Sequence, residues 1–339
     1  MNHEFGTPPE DRKEKSTLPL EELRELAPAV FDVNRLSQEA EVQLTLANIA
    51  RAGRKEDGSL EKYVVGYTGS ENRGFYISRN TNHSMPEVHK NMVAISEQMP
   101  GGTVPRPVTF LEDADAVLYE EVAGINGLEA FGQLSEAERL EFFRATGERT
   151  RQLHEIDKES IATKETNTSS LLEHIMQTVN RDTFAIIQER NQDFFSRLHN
   201  LYAQIVEREQ EYVKGSELVV NHGDLHPENV IRDESAKVGL MDFTDIMIAP
   251  RAKDIGGFFE QLKTMLHEQG FTNNEKIEEY QQEFLKGYGD DVEVPEEEMK
   301  LYRAWQLWRN SMYFAGRAEP DFAMAEEQLA AAQELMDNQ

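Results

Sequence analysis

VVNHGDLHPENVIRDESAKVGLMDFTDIMIAPRAKD, residues Val219–Asp254, is the segment around which the rest of this chain falls into place. It contains two apolar runs, Glu217–Asn221 and Val238–Phe243, each closed by a polar cluster. The first cluster is His222-Gly223-Asp224-Leu225-His226-Pro227-Glu228-Asn229 and the second is Asp242-Phe243-Thr244-Asp245. Two strands that each deliver a carboxylate, with an asparagine shortly after the first, can converge on one magnesium–phosphate site.

Transfer of a phosphoryl group from a nucleotide needs three parts: a metal on the phosphates, a base that orients the attacking hydroxyl, and a cation near the α- and β-phosphates. Asp224 fits the base. Asn229 and Asp242 fit the metal, because magnesium takes hard oxygen ligands and keeps some of its waters. Pro227 stiffens the loop between Asp224 and Asn229 by fixing its own φ. A plainer reading is that Asp224 and Asn229 only cap turns in a retained, inactive loop. His222 and His226 read as hydrogen-bonded loop residues, since magnesium prefers oxygen and no further His or Cys cluster surrounds them.

Upstream, Leu18–Val30 carries leucines at helical spacing ahead of a β-rich region. Glu41–Ala50, Lys62–Thr68 and Gly74–Arg79 read as strands, with turn signals at Lys55–Ser59 and Gly69–Gly74. Arg51–Gly58 and Gly69–Gly74 both offer glycines whose backbone N–H groups could cover phosphates, or serve simply as hairpin turns. Pro86–Met99 is a helix that starts at a proline and stops at Gly101-Gly102. Val104–Phe110 and Ala116–Glu121 complete a small antiparallel sheet, and the acidic pair Glu120-Glu121 before Gly124 suggests a hinge.

From Ser135 onward the pattern is helical. Ser135-Glu136-Ala137-Glu138 reads as a capping box for a helix reaching about His154. Further helices are expected at Thr168–Val179, Phe184–Val213, Ile255–Gln269, Asn274–Tyr288, Glu296–Ala315 and Pro320–Met336. The organisation expected is a tail over 1–17, an N-terminal lobe over 18–122 and a C-terminal lobe over 123–339. The fold class is α+β: two lobes, the first with an antiparallel sheet and the second larger and mainly helical.

With 63 acidic and 35 basic residues in 339, the chain carries a formal charge of −28. That balance argues against nucleic acid and anionic membranes as partners, both of which need clustered Lys and Arg. It would draw a cationic small molecule. No cysteine is present, so disulfides and thiolate metal sites are excluded. A polar N-terminus and the lack of a long apolar run make the cytoplasm the expected location.

HGDLHPEN, followed by a strand and then MDF, resembles the catalytic and metal-binding segments of the aminoglycoside phosphotransferase family, which includes choline, homoserine and macrolide kinases and has a protein-kinase-like bilobal fold. The resemblance implies that Asp224 is the catalytic aspartate, that His222 shapes its loop, that Asn229 and Asp242 bind Mg2+, and that Asp254 braces the region. It also implies ATP or GTP as phosphoryl donor. The family's third-strand lysine is missing: GFYISR offers Arg79, or Ser78 by a one-residue shift, with Glu87 on the next helix as partner. Arg79, Glu87 and Glu121 are therefore the expected nucleotide-binding residues. Thr244 stands where a glycine often follows Asp-Phe. The expected activity is phosphorylation of a small-molecule hydroxyl, first of all an aminoglycoside-like cation, with antibiotic resistance as the corresponding role. The alternatives are a non-catalytic kinase-like binding or regulatory protein, and a kinase for a macrolide, another alcohol or a protein hydroxyl.

Overall fold

The computed structural model describes residues 20–54, 60–70, 73–162, 171 and 181–337. The tail over 1–17, the turn Lys55–Ser59 and all of the Thr168–Val179 helix except Leu171 lie outside the described residues. The strands, in chain order, are β1 Thr45–Arg54, β2 Leu60–Thr68, β3 Gly74–Asn80, β4 Arg106–Leu111, β5 Ala116–Glu120, β6 Ile125–Asn126, β7 Leu218–Asn221, β8 Val230–Arg232, β9 Val238–Leu240 and β10 Met247–Pro250. The helices are α1 Leu20–Leu26, α2 Val33–Glu39, α3 Met85–Gln98, α4 Gly127–Gln133, α5 Glu136–His154, α6 Arg181–Arg190, α7 Gln192–Tyr212, α8 Ala252–Glu268, α9 Asn274–Tyr288, α10 Glu296–Gly316 and α11 Phe322–Asp337.

Two compact units emerge. One comprises Met1–Ala130, Ser160–Ala162 and Ile231–Thr244; the other comprises Phe131–Glu159, Thr163–Val230 and Asp245–Gln339. The sequence placed a single boundary after Val122. The compact units divide the chain differently, at Ala130, with Ile231–Thr244 belonging to the first.

In the first unit, β1–β5 form an antiparallel sheet in the order β1-β2-β3-β5-β4. Alternation along β2 and β3 sends Tyr63, Val65, Phe75 and Ile77, each with no exposed surface, to a core shared with Leu23, Val30 and Leu36. Each such side chain stabilises the unit by about 1.5–3 kcal/mol. The same alternation leaves Tyr76 and Ser78 on the opposite face. β1 runs on through Arg54, so Arg51–Arg54 is strand and not loop; register shifts at Leu46/Asn48 and Ile49/Arg51 absorb the residues that break the simple alternation.

Ile231–Thr244 joins this unit through short backbone contacts. Ile125 and Asn126 of β6 pair with Arg232 and Ile231, and β9 completes that small sheet. Leu240 N donates to Thr103 O at 2.7 Å, and a Cβ at Gly239 would collide with the same carbonyl. Asp242, Phe243 and Thr244 of the second cluster thereby belong to the first unit.

The second unit packs helices around the antiparallel pair β7–β10. At the start of α5, Glu138 accepts from Ser135 N at 2.9 Å and from its hydroxyl at 2.6 Å, the pairing that the sequence suggested. The expected helix Phe184–Val213 is instead two, because Asn191 adopts φ −154° and its side chain accepts from Phe194 N to cap α7. Trp305 and Trp308 on α10 stack at 5.1 Å and are buried, and Trp308 Nε1 donates to Leu198 O at 2.8 Å. Gly256 brings α8 close to α10: a Cβ there would stand 3.1 Å from Arg303 N. Among the described residues no helix is long and apolar enough to cross a membrane.

Candidate active site

β7 delivers the first cluster. Asn221, at its end, donates to Ala249 O at 2.8 Å and so ties β7 to β10. Gly223 follows with φ +85°, and a Cβ there would collide with Asp245 O, so only glycine fits the turn. The next residue, Asp224, is half-buried, with 31% of its side chain exposed.

Asp254, on the first turn of α8, holds this loop from behind. Its Oδ2 accepts from His222 N at 2.6 Å and its Oδ1 from Gly223 N at 3.0 Å. His154 Nε2 lies 3.1 Å from Oδ2, and His154 Nδ1 lies 2.7 Å from the Tyr288 hydroxyl. Burial alone would raise the Asp254 carboxyl, but the His154 bond and its charge hold it below the usual range. His222 is fully buried. Its backbone, placed by Asp254, is what shapes the loop.

Asn229 closes the loop. Its Nδ2 donates to Asp224 O at 2.9 Å, and its own N–H donates to His226 O at 2.9 Å. The Asp224 carboxylate meets Arg309 of α10, whose two terminal nitrogens lie 3.3 and 3.4 Å from Oδ1; His226 Nε2 lies 3.7 Å from Oδ2. Burial pushes the Asp224 pKa up, and Arg309, His226, His222 and Lys253 together pull it below the ordinary carboxylate value. Lys253 itself is 5% exposed, and its Nζ reaches Gly223 O at 3.4 Å.

The first unit carries Asp242, Phe243 and Thr244 of the second cluster. Asp242 has φ +61°, and its Oδ1 accepts from the Thr244 hydroxyl at 2.8 Å. Thr244, the departure noted in the sequence, thus fixes one oxygen of Asp242. Tyr119 and His83 both feel the Asp242 charge. Tyr119 stacks with Tyr76 at 6.0 Å and bonds to Ser78, so these residues share the sheet face opposite the core. Burial pushes the Tyr119 pKa up and the His83 pKa down. Glu121 lies on the same face, bonded to Tyr76 and folded over Gly74, where a Cβ would collide with it. Burial raises the Glu121 pKa.

The ion partner that the structure gives Arg79 is Asp115. Strand alternation turns Arg79 toward the core face opposite Tyr63, where its Nε lies 3.8 Å from Asp115. Glu87 is exposed in the first turn of α3, where a carboxylate complements the helix dipole. The residue on the open face is Ser78. The sequence also passed over Tyr119, His83, Lys253 and Arg309. The one signal available for Arg309 was a charge between the buried apolar positions Trp308 and Met312 of a largely buried helix.

Each of the two expected magnesium ligands, taken by itself, offers a hard oxygen. Asn229 commits its amide nitrogen to a carbonyl and so presents its oxygen, and Asp242 has an oxygen to spare. Among the described residues no three or more His, Cys, Asp or Glu gather as a metal cluster. A magnesium site completed by phosphate and water oxygens needs none.

The chain belongs to the APH phosphotransferase enzyme family, whose model matches residues 57–308. It is a phosphotransferase with an α+β, protein-kinase-like bilobal fold. Among solved structures it is similar to spectinomycin phosphotransferase APH(9)-Ia in complex with ADP and spectinomycin, at 14% identity and TM-score 0.59, over 89% of this chain and 97% of that one. An ethanolamine kinase from Plasmodium vivax matches at 14% identity and TM-score 0.56, over 91% of this chain and 86% of its own. The choline kinase LicA from Streptococcus pneumoniae matches at 12% identity and TM-score 0.53, over 92% and 99%. No curated protein matches by sequence.

Proposed function

We propose that the protein transfers the γ-phosphoryl group of ATP or GTP to a hydroxyl of a small molecule, with Asp224 orienting the acceptor. The observation that carries this is the loop itself: Asp254 holds the backbone at His222 and Gly223, and Asn229 holds the carbonyl of Asp224, so the carboxylate is presented at a fixed place. In the transfer, the acceptor oxygen forms a bond to the γ-phosphorus and the bond from that phosphorus to the β–γ bridging oxygen breaks. The acceptor's proton passes to Asp224 and a nucleoside diphosphate leaves.

Asn229 and Asp242 are the proposed magnesium ligands; the ion, when bound, neutralises phosphate charge. The proposed nucleotide contacts are Ser78, Tyr119 and Glu121, on the open face of the first sheet. Arg79 and Glu87 fit that role less well, because one turns to the core face and the other to solvent. The cytoplasm is the proposed location.

Relatives of the same fold are named for spectinomycin, ethanolamine and choline, which differ widely in size. An aminoglycoside-like acceptor was the first expectation from family and net charge; the fold by itself selects none of these alcohols.

The test is ADP or GDP release by the full chain, with and without Mg2+, comparing wild type with Asp242→Ala. Magnesium-dependent release that falls at least about 100-fold in the variant is expected, on the scale of losing a principal electrostatic contact. Equal rates for the two proteins, or release indifferent to magnesium, contradict the assignment.

A further inference from the structure

We propose that Tyr288 and Arg251 are positioning residues for the transfer. They fix the orientation and hydrogen position of the His154 ring, and through it the Asp254 carboxylate that holds the loop presenting Asp224. This rests on the phosphotransferase reading above and adds to it a part that touches no substrate.

The packing of α5 on α9 places the two rings. The helices meet backbone to backbone at two glycines: a Cβ at Gly147 would collide with Phe284 O, and one at Gly287 with Arg144 O. The last residues of the two helices, His154 and Tyr288, then meet edge to face, with ring centroids 5.5 Å apart and planes at 70°. His154 is 4% exposed and Tyr288 1%, so water does not serve their polar atoms and they must satisfy one another.

Donor capacity gives the contacts a direction. Asp254 Oδ2 can only accept, so the hydrogen shared with His154 at 3.1 Å sits on Nε2. Nδ1, 2.7 Å from the Tyr288 hydroxyl, is left as an acceptor. Arg251 makes the phenol supply that hydrogen. Its guanidinium can only donate, and Nη1 lies 3.2 Å from the phenol oxygen, so that oxygen accepts from Arg251 and turns its own hydrogen to Nδ1. Burial pushes the Tyr288 pKa up to about 12, which keeps the phenol protonated. Glu217 accepts from the other terminal nitrogen of Arg251. The donors therefore run one way, from Arg251 to Tyr288 to His154, and end on the carboxylate that accepts from His222 N and Gly223 N.

Without the phenol hydroxyl, Nδ1 is a buried acceptor with no donor, and the ring can turn to offer Asp254 either nitrogen. The two nitrogens do not occupy the same place, so the carboxylate and the loop must shift with the ring. A displacement of about 1 Å at a reacting group costs about 100-fold in rate.

The experiment uses the full chain as wild type, Tyr288→Phe and Arg251→Gln. The control is Tyr280→Phe, a buried tyrosine of the same helix whose hydroxyl donates to Glu136 at 3.0 Å. Nitrogen-15 shifts of the His154 ring report which nitrogen is protonated, and hydrogen exchange is followed at the His222 and Gly223 amides. ADP release from Mg-ATP, with water as acceptor, gives kcat and KM. Wild type should carry the ring hydrogen on Nε2. Tyr288→Phe should populate both ring forms and speed exchange at the two amides at least about tenfold. Its kcat should fall about 10–100-fold with KM for ATP within about threefold. Arg251→Gln should move every readout the same way by less, and it tests the proposal even where the phenylalanine variant does not fold. Tyr280→Phe should match wild type. The proposal is overturned if the wild-type hydrogen is on Nδ1, if neither variant speeds exchange at the loop amides, if kcat holds in both, or if Tyr280→Phe loses as much as Tyr288→Phe. Failure of wild type to bind ATP would instead overturn the phosphotransferase reading. The ring hydrogen and the amide exchange need no turnover and still decide the series of donors.

Discussion

Asp254 ties the stability of the fold to the loop on which the proposed transfer depends. It accepts from two backbone N–H groups of the catalytic loop and from His154, all in a buried setting. Replacing it with asparagine would set an amide donor against backbone donors, at a cost of about 2–4 kcal/mol. The folded pKa of Asp254 is depressed, so the unfolded chain binds its proton first. Its stabilisation is therefore complete above the ordinary aspartate value of about 3.9 and is lost as pH falls through the lower folded value. Urea unfolding of wild type from pH 6 down to pH 2.5 should show this loss, and Asp254→Asn should be less stable near neutrality with a flatter acid limb. Parallel pH profiles for the two proteins would refute the account. At this scale the sequence offered candidates wherever they were contiguous: Asp224, Asn229, Asp242 and Asp254 all fall within Val219–Asp254. It was silent on Arg309, which reaches Asp224 from 85 positions further along the chain.

Among the elements, β3 teaches the most. Gly74–Asn80 was correctly legible as a strand, but which of its polar residues faces the phosphates depends on a phase that composition does not reveal. Phe75 and Ile77, both fully buried, set that phase and carry Arg79 to the core face and Ser78 to the open one. Arg79→Ala should accordingly leave nucleotide affinity within about twofold, while Ser78→Phe, which fills the open face, should weaken it more than tenfold. Isothermal titration of ADP into the two variants separates the outcomes, and a large loss in Arg79→Ala would mean that the nucleotide uses the other face. Helix boundaries were legible where a capping residue marks them, as at Ser135. The break at Asn191 was missed because an asparagine inside an apolar helical pattern reads equally well as an exposed helix position.

For the whole molecule, the class was legible, whereas the division into compact units rests on contacts distant in sequence. A β-rich first part and a helical second part follow from hydrophobic period alone. That Ile231–Thr244 returns to the first unit depends on backbone contacts with Thr103 and β6, which no local pattern announces. Net charge is a statement of the same global kind: a sum of −28 describes the surface and does not reveal that Lys253, Asp254 and Arg309 gather beside Asp224. The central claim is that this chain transfers a phosphoryl group with Asp224 as the orienting base. It is tested most directly by transfer of label from γ-labelled ATP to an alcohol under single-turnover conditions, comparing wild type with Asp224→Asn, with nucleotide affinity measured alongside. The account predicts that the variant binds nucleotide within about threefold of wild type while transfer slows by roughly 100-fold to 10,000-fold. Undiminished transfer by Asp224→Asn would contradict it.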